Sequence, residues 1–187
     1  VPAVALAREA ARELLYRSEL DGRSVDEVIW GQVVVSVLTP NVGREVSLLP
    51  QLPFTVPGYS LNRACASGAQ AITSAADQIA RGNADVVIAG GVESLSDIPV
   101  LHSRRFSRTL VEAGKARSLG ARLSAFSRVR PRDLVPVTPA IAEPSTGETM
   151  GESAEKMAKI NAIPRELQDQ FALRSHRLAA AGTHDGR

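Results

Sequence analysis

The chain has a single cysteine, Cys65, in 187 residues. One thiol cannot close an internal disulfide, so no cystine framework holds the fold, and a lone free thiol fits a reducing compartment. Aromatic residues are scarce at 4%, and the excess of basic over acidic residues amounts to a net charge of +2. Neither a stacking platform nor a strong basic field is available, which argues against nucleic acid as a partner. No apolar run reaches the roughly 18 residues that a membrane-crossing helix requires. No methionine opens the chain: Val1-Pro2 leads straight into a helical pattern, and "GTHDGR" at the other end closes nothing. These ends predict a piece of a longer chain, whose remainder could hold catalytic groups.

Alanine is plentiful, apolar residues make up 44% and charged residues 22%. That balance suits a globular α/β domain with closely packed helices. The length suffices for one sizeable domain, or one domain with an insertion.

Val4, Ala7, Ala10, Ala11 and Leu14 recur at helical spacing, and Asp21-Gly22 marks a turn. "VDEVIWGQVVVSVL" (25–38) predicts a strand, Asn41 caps a short helix over 42–49, and "PGYSLNRA" (57–64) predicts another strand. A helix follows over 65–81, with Ala69, Ile72, Ala76, Ile79 and Ala80 on its apolar face and Gly82 as the residue that ends it. "ADVVIAGG" (84–91) is a short, buried type of strand. Strand, helix and strand at this spacing predict a parallel βαβ unit with a right-handed crossover. The loop "GGVESLSD" (90–97) then lies at the carboxyl end of a strand, where open α/β sheets bind ligands.

Composition changes after Pro99. Residues 102–133 carry nine Arg or Lys against two acids, Glu112 and Asp133, with helical spacing of Leu110, Leu119, Leu123 and Phe126. "RPRDLVPVTPAIAEPSTG" (130–147) is Pro-rich and predicts extended chain. Two helices close the sequence, one starting near Thr149 or Ser153 and one with Pro164 at its first position and Glu166 in its first turn. The plan is an α/β core over 1–98 and a basic, mostly helical excursion over 99–187.

Cys65 admits two readings from the residues alone. Free cysteine often fills space in a core. Against that, a thiol at a helix N-terminus faces unpaired N–H groups and the positive end of the helix dipole, which favour thiolate. Arg63 adds a nearby cation. Ala64, Ala66, Ser67 and Gly68 leave room for a bulky acyl group, and the same N–H groups suit an oxyanion, as acyl transfer needs.

The segments "NRACASGAQAI" and "ADVVIAGGVESLSDIP" resemble the acyl-enzyme cysteine segment of the thiolases and the strand and loop after it. "TMGESAEKMAKINAIPRELQDQFALRSHRLA" is similar to that family's Met-Gly helix and its successor, and "LHSRR", "KARSLGARLS", "RPRDLVPV" and "STGETMGE" look most like the thiolase subunit of fatty-acid β-oxidation complexes. The resemblance implies a layered α-β-α fold, half of it present here with a mixed sheet containing the βαβ unit, carrying an inserted helical loop domain. It implies thiolytic cleavage of 3-ketoacyl-CoA to acetyl-CoA and a shortened acyl-CoA through an acyl group on Cys65, whose own N–H would serve the oxyanion hole. Met150 would line the acyl or pantetheine pocket, and Gly90 and Gly91 would pack the strand–loop turn against the site. Glu93 and Ser94 are polar candidates there. Coenzyme A enters as co-substrate, with no other cofactor and no metal. Implied partners are acyl-CoA and CoA, a second copy in a homodimer or homotetramer, a hydratase/dehydrogenase α-subunit and an anionic membrane surface. The implied location is cytoplasmic in a bacterium or mitochondrial in a eukaryote.

The resemblance stops short in one respect. The family's Gly-His-Pro histidine, its Asn-Glu-Ala-Phe segment and its second, Cys-x-Gly cysteine have no counterpart here. His102, His176 and His184 lie in the excursion and predict structural or surface roles. This chain alone is therefore expected to be incomplete as a catalyst. A β-ketoacyl synthase-type condensing enzyme and a non-catalytic acyl-CoA- or lipid-binding relative are the alternatives; "TMGESAEKMA" and "QDQFALRSH" speak for thiolase over synthase. The basic segment has three readings: a solvated face, a hold on CoA phosphates, or contact with a partner subunit or membrane.

Overall fold

A computed structural model describes residues 1–137 and 140–186. They fall into two compact units, Val1–Val100 and Leu101–Arg187.

The first unit is built on a three-stranded sheet ordered β2-β1-β3, with β1 at Glu27–Gly31, β2 at Gly58–Leu61 and β3 at Val87–Gly91. Both pairings are parallel, with Trp30 opposite Ser60 on one side and Gly90 on the other. No antiparallel strand of the expected mixed sheet joins it among the described residues. The helix α1 spans Ala3–Ser18, α2 spans Val42–Ser47 and α3 spans Ser67–Ala80.

Alternation along the central strand creates the layers, because successive side chains of a strand point to opposite faces. Val28 and Trp30 pack with Ala7, Ala11 and Leu15 of α1, Val42 and Val46 of α2, and Ile88 of β3. Ile29 faces the other way, onto Ala71 and Ala75 of α3, with Leu61, Val87 and Ala89 beside it. The result is the α-β-α sandwich that the family resemblance implies.

Several local expectations need correction. In α1 the buried positions are Ala7, Ala11 and Leu15, while Leu14 is half exposed. In α3 the face predicted from Ile72 and Ile79 points outward, 60% and 46% exposed, and Ser67, Ala71 and Ala75 are buried instead. Small side chains let the helix approach the sheet closely, and that close fit outweighs the larger apolar residues. The strand predicted over 25–38 ends at Gly31. Beyond it the Glu93 carboxylate accepts the N–H groups of Val33 and Val34 at 2.9 and 3.1 Å, diverting them from any ladder.

Other local signals hold. The Asn41 side chain accepts the Arg44 N–H and caps α2. Gly82 follows α3 with φ of 71°, and its N–H closes onto the Ile79 carbonyl at 2.9 Å. At the amino ends of the strands, Asp26 Oδ2 accepts the Asp85 and Val86 N–H groups at 2.7 and 3.0 Å. These backbone bonds, Val86 first, hold the Asp26 carboxyl below its ordinary pKa.

The second unit holds α4 at Arg104–Lys115, α5 at Leu119–Phe126, a 3-10 turn at Pro131–Leu134, α6 at Met150–Ile160 and α7 at Arg165–His184. The extended reading of 130–147 is thus interrupted by a turn, in which the Asp133 carboxylate accepts the Arg130 N–H at 3.0 Å. Thr138 and Pro139 of that segment lie outside the described residues. Thr149, not Ser153, caps α6: its hydroxyl accepts the Glu152 N–H and Glu152 Oε2 accepts the Thr149 N–H, a reciprocal capping box. The Glu152 carboxyl lies below its ordinary pKa through its bonds to Thr149, the backbone one larger. Pro164 occupies the cap position of α7, one residue before the helix. His184, expected in the tail, is the last residue of α7.

Candidate active site

Between β2 and α3 the chain must reverse within five residues, 62–66. Ala64 takes the left-handed conformation, with φ of 46°, which strains a residue with a β-carbon by about 1 kcal/mol. Three polar contacts hold it there. The Asn62 side chain accepts the Ala64 N–H at 2.9 Å. The Ser67 hydroxyl accepts the Arg63 N–H at 2.8 Å and donates to the Ala64 carbonyl at 2.6 Å. Ser67 is itself buried, so the clamp is shielded from competing water.

Cys65 sits at the tip of this turn, two residues before α3, and is exposed. The space-filling reading of the thiol therefore fails, and so does its placement inside the helix. Arg63 does not turn toward the sulfur: its guanidinium donates to the Gln70 side chain one turn along α3.

The thiol opens onto a cleft of about 480 Å³ whose walls come from three places: Gly31 to Val33 at the end of β1, Ala64, Cys65, Ser67 and Gly68 at the turn, and Gly91 to Glu93 at the end of β3. All lie at the carboxyl ends of parallel strands, the side at which open α/β sheets bind ligands. Glycine brings the helix to that edge. A β-carbon at Gly31 would fall 2.4 Å from the Ser67 carbonyl carbon, and one at Gly91 would fall 3.1 Å from Gly68 Cα. Gly91 thus shapes the cleft. Gly90 does not line it; its missing side chain makes way for the Trp30 ring, 3.3 Å from a β-carbon there.

Glu93 lines the cleft, and its Oε2 accepts both the Val33 and the Val34 N–H groups. Ser94 donates to the Val1 carbonyl at 2.7 Å and stays outside. Met150 opens α6 in the second unit, 59% exposed. His102 packs edge-on against Phe106, His176 is exposed and His184 ends α7; no histidine lines the Cys65 cleft among the described residues.

Gln32 was invisible to motif reading. It lines the cleft at 2% exposure, donates its amide to the Val34 carbonyl at 3.0 Å, and leaves Oε1 buried without a hydrogen-bond partner. A buried amide oxygen left unpaired is uncommon and calls for a donor. Only its position after Trp30-Gly31 at the strand's end could have drawn attention to it.

The fold and cleft define an α/β domain that presents one thiol at the carboxyl edge of a parallel sheet. The family model described as "Thiolase, N-terminal domain" matches residues 1–187, and the chain belongs to the thiolase family. It is 47% identical over 186 residues to proteins named 3-ketoacyl-CoA thiolase from Yersinia pestis and Yersinia pseudotuberculosis, covering all of this chain and 43% of each relative. Among solved structures it resembles the acetyl-CoA acetyltransferase of Bacillus anthracis, with a TM-score of 0.71 and 32% identity over 100% of this chain and 43% of that one. It also resembles the Acat5 thiolase of Ascaris suum in complex with coenzyme A, with a TM-score of 0.74 and 26% identity over 100% of this chain and 44% of that one. The chain thus spans less than half the length of the relatives it matches.

Proposed function

We propose that this chain supplies the nucleophilic half of a 3-ketoacyl-CoA thiolase. The observation that carries the proposal is the exposed Cys65 on a strained, Ser67-clamped turn, facing a cleft with an unpaired buried acceptor. The name of the Yersinia relatives supports the substrate class.

The Cys65 thiolate attacks the 3-keto carbon, forming a C–S bond while the carbonyl electrons move onto oxygen. Collapse breaks the bond between C2 and C3, and the enolate of acetyl-CoA leaves and takes up a proton. The shortened acyl group remains as a thioester on Cys65. A second CoA sulfur then attacks that thioester, acyl-CoA leaves, and the cysteine sulfur is regenerated. The N–H of Cys65, on the turn before α3, suits the oxyanion in both steps. The groups that move the protons belong to the rest of the protein, and Met150, on the loop-domain part 99–187, would contact acyl or pantetheine there. The same reading brings a second copy and an α-subunit as partners, and a reducing compartment such as the bacterial cytoplasm.

The test uses the full-length enzyme. Incubation with a 3-ketoacyl-CoA, acid quench and digestion should place the acyl mass on the peptide holding Cys65, and Cys65→Ser should abolish thiolysis. An acyl group on any other peptide would end the proposal.

A further inference from the structure

At the carboxyl edge of the sheet, side chains take over where the backbone ladder stops. Two bonds finish that ladder: the Gln32 N–H donates to the Leu61 carbonyl at 3.1 Å, and the Val92 N–H donates to the Gly31 carbonyl at 3.0 Å. Beyond them, the backbone N–H and carbonyl groups of both Val33 and Val34 are bonded to side chains. Glu93 Oε2 accepts the two N–H groups. The Gln32 amide donates to the Val34 carbonyl. The Asn62 amide donates to the Val33 carbonyl at 3.1 Å.

The bond to Val33 gives Asn62 a second task. Its Oδ1 already accepts the Ala64 N–H at 2.9 Å, closing a local turn of the kind that asparagine favours. Its Nδ2 ties that turn to a residue 29 positions earlier in the chain. Hydrogen bonds therefore lead from Glu93, after β3, through Val33, after β1, to Asn62, after β2. From Asn62 they reach Ala64, the left-handed residue immediately before Cys65. The Ser67 clamp is different in kind, because it bonds residues within four positions of itself. Asn62 fixes the turn against the ends of the neighbouring strands.

We propose, resting on Cys65 as the nucleophile, that Asn62 is a positioning residue for the thiol and that Glu93 acts on the thiol through Val33 and Asn62, as an anchor and not as an acid or base. A strained residue such as Ala64 persists when its surroundings over-determine it. Cutting the path lets Ala64 relax and carries the sulfur with it.

The experiment uses the full-length enzyme and four variants: Glu93→Ala, Glu93→Gln, Asn62→Ser, and Glu93→Ala combined with Asn62→Ser. Serine keeps an oxygen for the Ala64 N–H and is too short to reach Val33. Glu93→Ala and Asn62→Ser should each lower kcat, by up to about 100-fold for a sulfur displaced by about 1 Å. Glu93→Gln keeps an oxygen for the two N–H groups and should restore most of the rate. The double variant should be no slower than the slower single one, since both substitutions cut one path; independent effects would multiply to within about twofold. Hydrogen exchange of the turn 62–66, followed by mass spectrometry, should quicken in Glu93→Ala and return toward the parent rate in Glu93→Gln. Thermal unfolding checks that each variant is folded. Cys65→Ser separates the two readings: if it keeps thiolysis, the nucleophile reading fails, and the exchange measurement then decides the link from Glu93 to the turn. Multiplying effects in the double variant, a Glu93→Gln enzyme as slow as Glu93→Ala, or unchanged exchange of the turn in Glu93→Ala overturns the proposal.

Discussion

Gly31 and Ser67 meet main chain to main chain: a β-carbon on Gly31 would lie 2.5 Å from the Ser67 carbonyl oxygen. The end of the central strand and the start of α3 are therefore in direct backbone contact beside the cysteine turn. Gly31→Ala should push them apart. Overpacking of this kind costs about 1–3 kcal/mol, so the full-length variant should unfold at lower denaturant concentration with an unchanged slope. Unchanged stability would mean that the contact is looser than described.

Ser67→Ala removes both halves of the clamp on Arg63 and Ala64. Loss of hydrogen bonds at a part-buried site costs on the order of 1–3 kcal/mol. The larger effect should fall on rate, since misplacing a reacting group by about 1 Å lowers turnover roughly 100-fold. Steady-state thiolysis and Cys65 alkylation by iodoacetamide, measured together, separate a displaced sulfur from an unfolded protein: turnover falls while alkylation persists.

Gln32→Leu tests the unpaired amide oxygen. It deletes one bond, from the amide to the Val34 carbonyl, and one orphaned acceptor, so stability should change by less than about 1 kcal/mol. The alkylation rate of Cys65 should be unchanged. If Oε1 receives a donor from the occupant of the cleft, the KM for acyl-CoA rises by about tenfold, as expected for one lost hydrogen bond. A KM equal to that of the parent enzyme would remove Gln32 from the site.

Asp26 gives the fold an acid-sensitive joint. Its carboxyl lies below its ordinary pKa because the charged form accepts the Val86 and Asp85 N–H groups. The unfolded chain therefore binds the proton more readily, at a pKa of about 3.9. The stabilisation is present above that value and is lost as pH falls from there through the lower folded pKa. Asp26→Asn should be less stable than the parent at neutral pH, and the two should converge on acidification. Parallel stability curves across that window would exclude the linkage.

The cysteine turn was legible because small residues, a lone thiol and a change from strand to helix period all fall within one dozen residues. The layers came from the family resemblance and not from a local pattern: Val28, Ile29 and Trp30 are one continuous apolar run, and only the structure shows Val28 and Trp30 facing one helix layer and Ile29 the other. What stayed hidden depends on partners distant in sequence. The valine run after Gly31 has every local mark of a strand, yet a carboxylate 60 residues away, on Glu93, captures its N–H groups. In α3, size and apolar character favoured Ile72 and Ile79, while the sheet selected the alanines that allow close approach. Gln32 has no motif at all, and its interest arises only from burial beside the thiol.

The meeting of Gly31 with Ser67 and of Gly91 with Gly68 has one further consequence. The sulfur's address is set by backbone contacts that glycine permits at 31 and 91 and by the Asn62 and Ser67 side-chain bonds, and not by the shapes of core side chains. Replacing the leucines and valines behind the sheet with others of similar bulk would alter how firmly the domain holds together while leaving the thiol where it is. Durability and reactivity can then be tuned separately in this half of the protein.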